Sequence, residues 1–329
     1  MGSLLHGGRK RRRASKWFAA LAIVLAPLAV AAVAFVALHG RSARGGPSVP
    51  VATHAVHHHA RVARRHRRRP RPIPAVRLSG VDAFHFRFGK PPRAALLMDV
   101  GNGDVLWRLH PFDTMPIASL TKIMTALLVT QRTRPDDRVR ISRAALHYRG
   151  SGVGVLPVGK RVRLETLMNG LLLVSGNDAA IALAVHVAGS HRRFVHLMNR
   201  RARQWGLRCT HFASSDGLEP GNRSCARDLA VLTRMAMATH RITRIVRRSQ
   251  VSFRFPIKGK RLFLAGHNPL IRADYRGAIG LKTGFTDEAG RCFVGVARRH
   301  GRTLAVVLLN SRNPLKHAAK LLNMGFAHP

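Results

Sequence analysis

The chain has 329 residues, 46% of them hydrophobic, and a formal net charge of +43. That much apolar material supports a substantial core, which excludes a wholly disordered chain. A chain this basic should adhere to polyanions, and its three cysteines, an odd number, exclude a fully paired disulfide framework.

Residues 1–16 carry six Lys/Arg: Arg9, Lys10, Arg11, Arg12, Arg13 and Lys16. The next 23 positions, 17–39, contain no charge. A bilayer-crossing helix needs roughly 20 apolar residues, and Pro27 is tolerable in one. Only Arg41 and Arg44 follow closely, so the bias predicts a cytoplasmic N-terminus with everything after residue 40 outside. A cleaved signal peptide is the competing reading. It would have a shorter apolar region and a small-x-small site, which "VALHGRSA" lacks, so an uncleaved transmembrane anchor is expected.

Residues 40–77 have no acid, few large apolar residues and several prolines, and read as a disordered, self-repelling basic linker. His54, His57, His58 and His59 lie within it, but no second ligand cluster with suitable spacing follows, and no metal or other cofactor is expected. Sixteen of the 57 Lys/Arg fall in residues 1–77, so the remainder is itself strongly basic. Outside the cytoplasm the partners of that charge are anionic lipid or wall polymer rather than nucleic acid.

From residue 78 the pattern becomes that of a folded domain reaching 329. "AALLMDV" (94–100) and "VLWRL" (105–109) predict a hairpin across "GNGD". "SLTKIMTALLVTQR" has helical spacing, with Ser119 in its first turn. Helices are predicted at 163–173 and 178–189, flanking "VSGN", and at 191–206. Another starts at a Ser224 cap and runs through 238. Strands are predicted at 251–257, 261–264, 292–299 and 303–310, and a closing helix at 314–326. Strands at both ends with helices between predict one α+β domain: an antiparallel sheet from the terminal segments with an inserted helical cluster. Cys209, Cys225 and Cys292 are read as thiols, with a Cys209–Cys225 bridge as the alternative.

Three short elements carry chemistry. In Ser119-Leu120-Thr121-Lys122, residues three apart on a helix share a face, so an amine can activate a hydroxyl. The lysine serves as base if burial lowers its pKa. Ser175-Gly176-Asn177 offers a proton-relaying hydroxyl and an amide; it also reads as a plain helix stop and cap. Lys282-Thr283-Gly284 offers a cation and a hydroxyl suited to a terminal carboxylate, with Gly284 admitting a ligand backbone; it also reads as a basic hairpin turn. Each alone is a common pattern.

Together and in this order they match the signature set of penicillin-binding proteins and class A β-lactamases, with SGN as the middle term. The chain resembles the low-molecular-mass penicillin-binding proteins, serine-type D-alanyl-D-alanine carboxypeptidases. The resemblance also rests on "PIASLTKIMTALL", "LMNGLLLVSGNDAAIALA", "THFASSDGL", "SCARDLAVL" and "AGRCFVGVARRHGRTLAVVLLNS", and covers residues 94–326. It implies the penicillin-binding transpeptidase fold and release of the terminal D-alanine from peptidoglycan pentapeptides through a Ser119 acyl-enzyme. Lys122 would be the general base and Ser175 the proton relay. Asn177 would bind the substrate amide, and Lys282 and Thr283 its carboxylate. The oxyanion would be held by the N–H groups of Ser119 and Phe285. β-Lactams would acylate the same serine. The expected location is the bacterial cell membrane, with a single N-terminal span and an extracytoplasmic catalytic domain. A β-lactamase would need a deacylating glutamate, and Glu219 in "GLEPGN" does not match the expected setting. A D,D-endopeptidase would use the same residues. A membrane-tethered polyanion-binding module would explain the charge but not three ordered motifs.

Overall fold

The computed structural model describes residues 75–328. The basic N-terminus, the apolar run 17–39, the four linker histidines and the linker up to residue 74 lie outside them. Among the described residues no helix is long and apolar enough to cross a membrane.

The elements follow in chain order. Strands β1 (Ala94–Asp99) and β2 (Val105–Leu109) form the expected hairpin. The two-residue strand β3 (Met115–Pro116) leads to a 3-10 turn, Ala118–Thr121, and then to α1 (Lys122–Arg132). Short strands β4 (Arg138–Arg140) and β5 (Arg161–Arg163) pair with each other. Helices α2 (Leu164–Leu172), α3 (Asn177–Ala188) and α4 (His191–Gln204) come next. After β6 (Arg223–Ser224), which pairs with β3, come α5 (Ala226–Met237) and α6 (His240–Val246). The hairpin β7 (Gln250–Arg254) and β8 (Arg261–Ala265) is followed by the short α7 (Pro269–Arg272). The last three strands are β9 (Ala278–Thr286), β10 (Gly290–Arg299) and β11 (Arg302–Leu309), and α8 (Pro314–Ala327) closes the domain.

The main sheet has the order β2-β1-β11-β10-β9, antiparallel throughout. Its centre joins the two ends of the domain, with Leu97 facing Val306 across β1 and β11. Both strands are buried on both faces, which is why "AALLMD" and "LAVVLL" are nearly continuous apolar runs. Ala94, Leu96, Met98, Ala305 and Val307 pack into the helical cluster. The alternating set, Ala95, Leu97, Leu304, Val306 and Leu308, packs with Leu321 and Leu322 of α8. Helices α1 and α3 are sheathed by other elements, and α1 buries every residue from Lys122 to Val129. Strand β9 forms the sheet edge that faces the start of α1.

Three expectations change. Ser119 sits in a 3-10 turn, not in the first turn of the α-helix, because Ala118 takes a left-handed conformation (φ +46°) immediately before it. The cap of α5 is Cys225; Ser224 stays extended in β6, where its Oγ lies 2.8 Å from Thr210 Oγ1. Cys209 and Cys225 are disulfide-bonded, with Cα atoms 5.5 Å apart, so of the three cysteines only Cys292 keeps its thiol. The bridge spans a sequence separation of 16. A loop of that size is worth about 3 kcal/mol of stability. Replacing both cysteines by serine is expected to lower the urea midpoint by that equivalent, read by circular dichroism against the oxidised parent.

Candidate active site

The 3-10 turn and the first turn of α1 project two side chains onto one spot. Lys122 is fully buried, and its Nζ lies 2.8 Å from Ser119 Oγ. It also donates to Asn177 Oδ1 at 2.6 Å and to the carbonyl of Asp216 at 2.6 Å. Burial lowers its pKa from 10.5 to about 7, against the opposing pull of the Asp216 and Asp178 carboxylates. As a neutral amine it would keep two N–H donors for Asn177 and Asp216, and its lone pair would face the serine hydroxyl.

The middle element comes from the break between α2 and α3. Ser175 has φ +61° and is buried in the cleft wall. Asn177 opens α3; its Nδ2 donates to the Arg149 carbonyl at 2.5 Å, and its N–H donates to the Ser151 carbonyl at 2.8 Å. Asp178 accepts from the N–H groups of Val153 and Gly154, both at 2.9 Å. The Ser-Gly-Asn-Asp corner therefore positions the 149–154 loop as well as its own side chains.

A third segment, 213–222, was not foreseen as part of the site. Asn222 Oδ1 accepts from the N–H of Ala213 at 3.1 Å and of Ser214 at 3.2 Å, and Ser214 Oγ donates to Asp216 Oδ1 at 2.6 Å. This buried knot holds the Asp216 carbonyl on Lys122. Gly217 (φ +87°) lies against the Ser119 turn: a Cβ there would stand 2.0 Å from the Ala118 carbonyl oxygen. On the other side, a Cβ at Gly284 of β9 would be 3.1 Å from the Ser119 nitrogen. The turn is thus clamped between two backbones that come close because neither carries a side chain.

The cleft between these segments has a volume of about 630 Å³. Ser119, Ser175, Asn177, Thr283, Gly284 and Phe285 all line it. Lys282 does not reach its surface. It is buried behind, with Nζ donating to the Thr283 carbonyl at 2.7 Å, and its pKa is held well below 10.5 by burial and by the Lys122 ammonium. His267, Arg291 and Arg312 also line the cleft; none was given a role from the sequence, although Arg291 lies in the "AGRCFVG" stretch. Burial lowers the His267 pKa, with Lys282 and Arg272 adding to the effect. No carboxylate side chain lines the cleft among the described residues; Glu219 is exposed and is not part of its lining.

Residues 91–313 match the family model described as Peptidase_S11, D-alanyl-D-alanine carboxypeptidase. The chain belongs to the D-alanyl-D-alanine carboxypeptidase family. Among curated family relatives, DacF of Bacillus subtilis is 31% identical over 238 residues, covering 70% of this chain and 60% of the relative. DacB2 of Mycobacterium tuberculosis is 35% identical over 246 residues, covering 72% of this chain and 83% of the relative. A crystal structure of a D-alanyl-D-alanine carboxypeptidase from Mycobacterium tuberculosis superimposes with a TM-score of 0.67 at 32% identity, over 72% of this chain and 92% of that one. The chain spans about three fifths of the length of several curated carboxypeptidases it matches. The carboxypeptidase-family fold is the α+β arrangement expected from the strand-helix-strand order.

Proposed function

We propose that the domain removes the terminal D-alanine from D-alanyl-D-alanine stem peptides through a covalent Ser119 intermediate, and that it does so tethered outside the cytoplasmic membrane by residues 17–39. The observation that carries the reading is the fully buried Lys122 amine, 2.8 Å from Ser119 Oγ at the floor of an open cleft. Neutral Lys122 takes the Oγ proton as the oxygen attacks the carbonyl carbon of the penultimate residue. Negative charge on that carbonyl oxygen is held by the N–H groups of Ser119 and Phe285. The C–N bond then breaks, and the proton passes from the Lys122 ammonium through the Ser175 hydroxyl to the departing D-alanine nitrogen. Water attacks the acyl-enzyme, again giving its proton to Lys122, and the shortened peptide leaves with a new carboxyl group.

Asn177 and the β9 edge hold the substrate backbone. The terminal carboxylate meets the Thr283 hydroxyl, with the Lys282 amine directly behind it. An incoming carboxylate favours a protonated Lys282, whereas the empty site disfavours it. Arg291 and Arg312 add permanent positive charge to the same wall.

The cleft's lack of a carboxylate side chain favours a peptidase over a class A-like β-lactamase, in which a glutamate drives deacylation. The test is to compare D-alanine release from a pentapeptide with hydrolysis of benzylpenicillin by the same preparation. Peptide turnover together with a long-lived penicilloyl adduct is expected. Rapid penicillin hydrolysis with no D-alanine release would overturn the assignment, and cleavage confined to cross-linked dimers would make the protein an endopeptidase.

Replacement of Gly217 by alanine tests the clamp on the nucleophile. The added methyl meets the Ala118 carbonyl and forces a left-handed alanine, so the turn has to shift. The strain is about 1–3 kcal/mol, and a misplaced nucleophile costs roughly a hundredfold in rate. Penicillin acylation is expected to fall by that factor, more than the loss in urea stability alone explains.

A further inference from the structure

We infer that the exposed face of α4, with Arg208 and Phe112 at its C-terminal end, docks the folded domain onto an anionic lipid bilayer. Helix α4 is amphipathic. Phe194, Leu197, Met198 and Ala202 are buried, while Arg192, Arg193, His196, Arg200 and Arg203 are exposed. The helix contains no acidic residue, and none of the six ion pairs among the described residues involves it. Arg132, at the end of α1, adds to the patch. Its pKa is lowered first by partial burial and then by Arg201 and Arg200, so the fold gathers these guanidinium groups without supplying a counter-charge. Such a surface is complementary to a dense array of phosphates.

Two observations select a bilayer over a soluble polymer. The described chain begins beside this face: Val76 and Leu78 share a surface hollow with Gly206, Arg208 and Phe112. Upstream of residue 75 lie the linker and then the apolar run 17–39, read above as the membrane tether. Taken from its length alone, such a linker reaches at most a few tens of ångströms, so the tether reading puts this end of the domain nearest the lipid. Phe112 is 60% exposed in the same hollow, and an exposed ring beside arginines suits the headgroup boundary. The orientation rests on the tether reading; the charge complementarity does not.

The test places the full chain in nanodiscs of phosphatidylcholine alone or mixed with phosphatidylglycerol, at about 0.1 M salt. Phenylglyoxal modification is followed arginine by arginine with peptide mapping. Arg192, Arg193, Arg200, Arg203 and Arg208 are expected to react about threefold or more slowly on anionic discs, while the exposed Arg276 and Arg298 react at equal rates on both. The triple variant R192E/R200E/R203E should lose the protection of Arg193 and Arg208 yet still bind fluorescent penicillin, showing that it is folded. Equal rates at α4 on the two discs would overturn the inference, as would equal slowing of Arg276 and Arg298. Protection by soluble polyphosphate on neutral discs, matching that on anionic discs, would assign the face to a polymer instead. Co-elution with neutral discs tests the tether separately: a chain that fails to co-elute, yet shows α4 protected on anionic discs, keeps the docking face and loses the tether.

Discussion

Replacing Ser119 by alanine is expected to abolish covalent labelling by fluorescent penicillin and to cut D-alanine release on the order of ten-thousandfold or more. The fold should survive. Lys122 keeps its bonds to Asn177 and the Asp216 carbonyl, and a serine-to-alanine change adds no volume. Cys292, the one thiol lining the cleft, cannot stand in. Burial raises its pKa to about 11, and its Sγ contacts the carbonyls of Pro116 and Ala289 at 3.8 and 3.6 Å. A labelled alanine variant would mean that some other group forms the acyl-enzyme.

Removing the base should cost nearly as much. Lys122→Met is expected to slow acylation by roughly a hundred- to ten-thousandfold. Lys122→Arg should do no better, because a guanidinium keeps its proton at any accessible pH. The wild-type acylation rate should follow the neutral form of the amine. It rises about tenfold per pH unit below about pH 7 and levels off above it, since the pKa is lowered from 10.5 to about 7. A pH-independent rate would remove Lys122 from the base role. The same shift marks stability. Between about pH 7 and 10.5 the unfolded chain holds a proton on this lysine that the folded chain does not. Its contribution to stability therefore rises with pH across that window, and its cost is fully present below it.

Much of this site was legible in the sequence because the chemistry demands particular residue types at short spacings. Ser119 and Lys122, three apart, could meet on almost any helical turn, and they do. The order of strands and helices was legible because the central strands are apolar on both faces and the helically spaced segments fall together between them. The parts that were missed depend on distant backbone. No local pattern gives His267, Arg291 or Arg312 a role in the cleft, which they reach from a loop before α7, from β10 opposite Phe285 and from the turn before α8. "THFASSDGL" carried the resemblance but no assigned role, because it is the inward bonds of Asn222 and Ser214 that bring the 213–222 segment to Lys122. The spacing of Cys209 and Cys225 permitted a bridge without requiring one. The fold brings them together: Asp228 accepts from the Cys209 N–H and the Thr210 hydroxyl, both at 2.8 Å, which pins the 209–210 turn to the start of α5. Lys282 was read as a cation on the strand edge, but the sheet turns it inward behind Thr283.

The central pairing of β1 with β11 has a consequence for how the protein comes into being. Ser119 and Lys122 are synthesised early, but the wall opposite them, Thr283 to Phe285, is made more than 150 residues later. A growing chain therefore carries Ser119 and Lys122 before the β9 wall that completes the cleft exists. The site is complete only when the final strands zip onto the first. Fragments ending before residue 278 should accordingly resist every β-lactam.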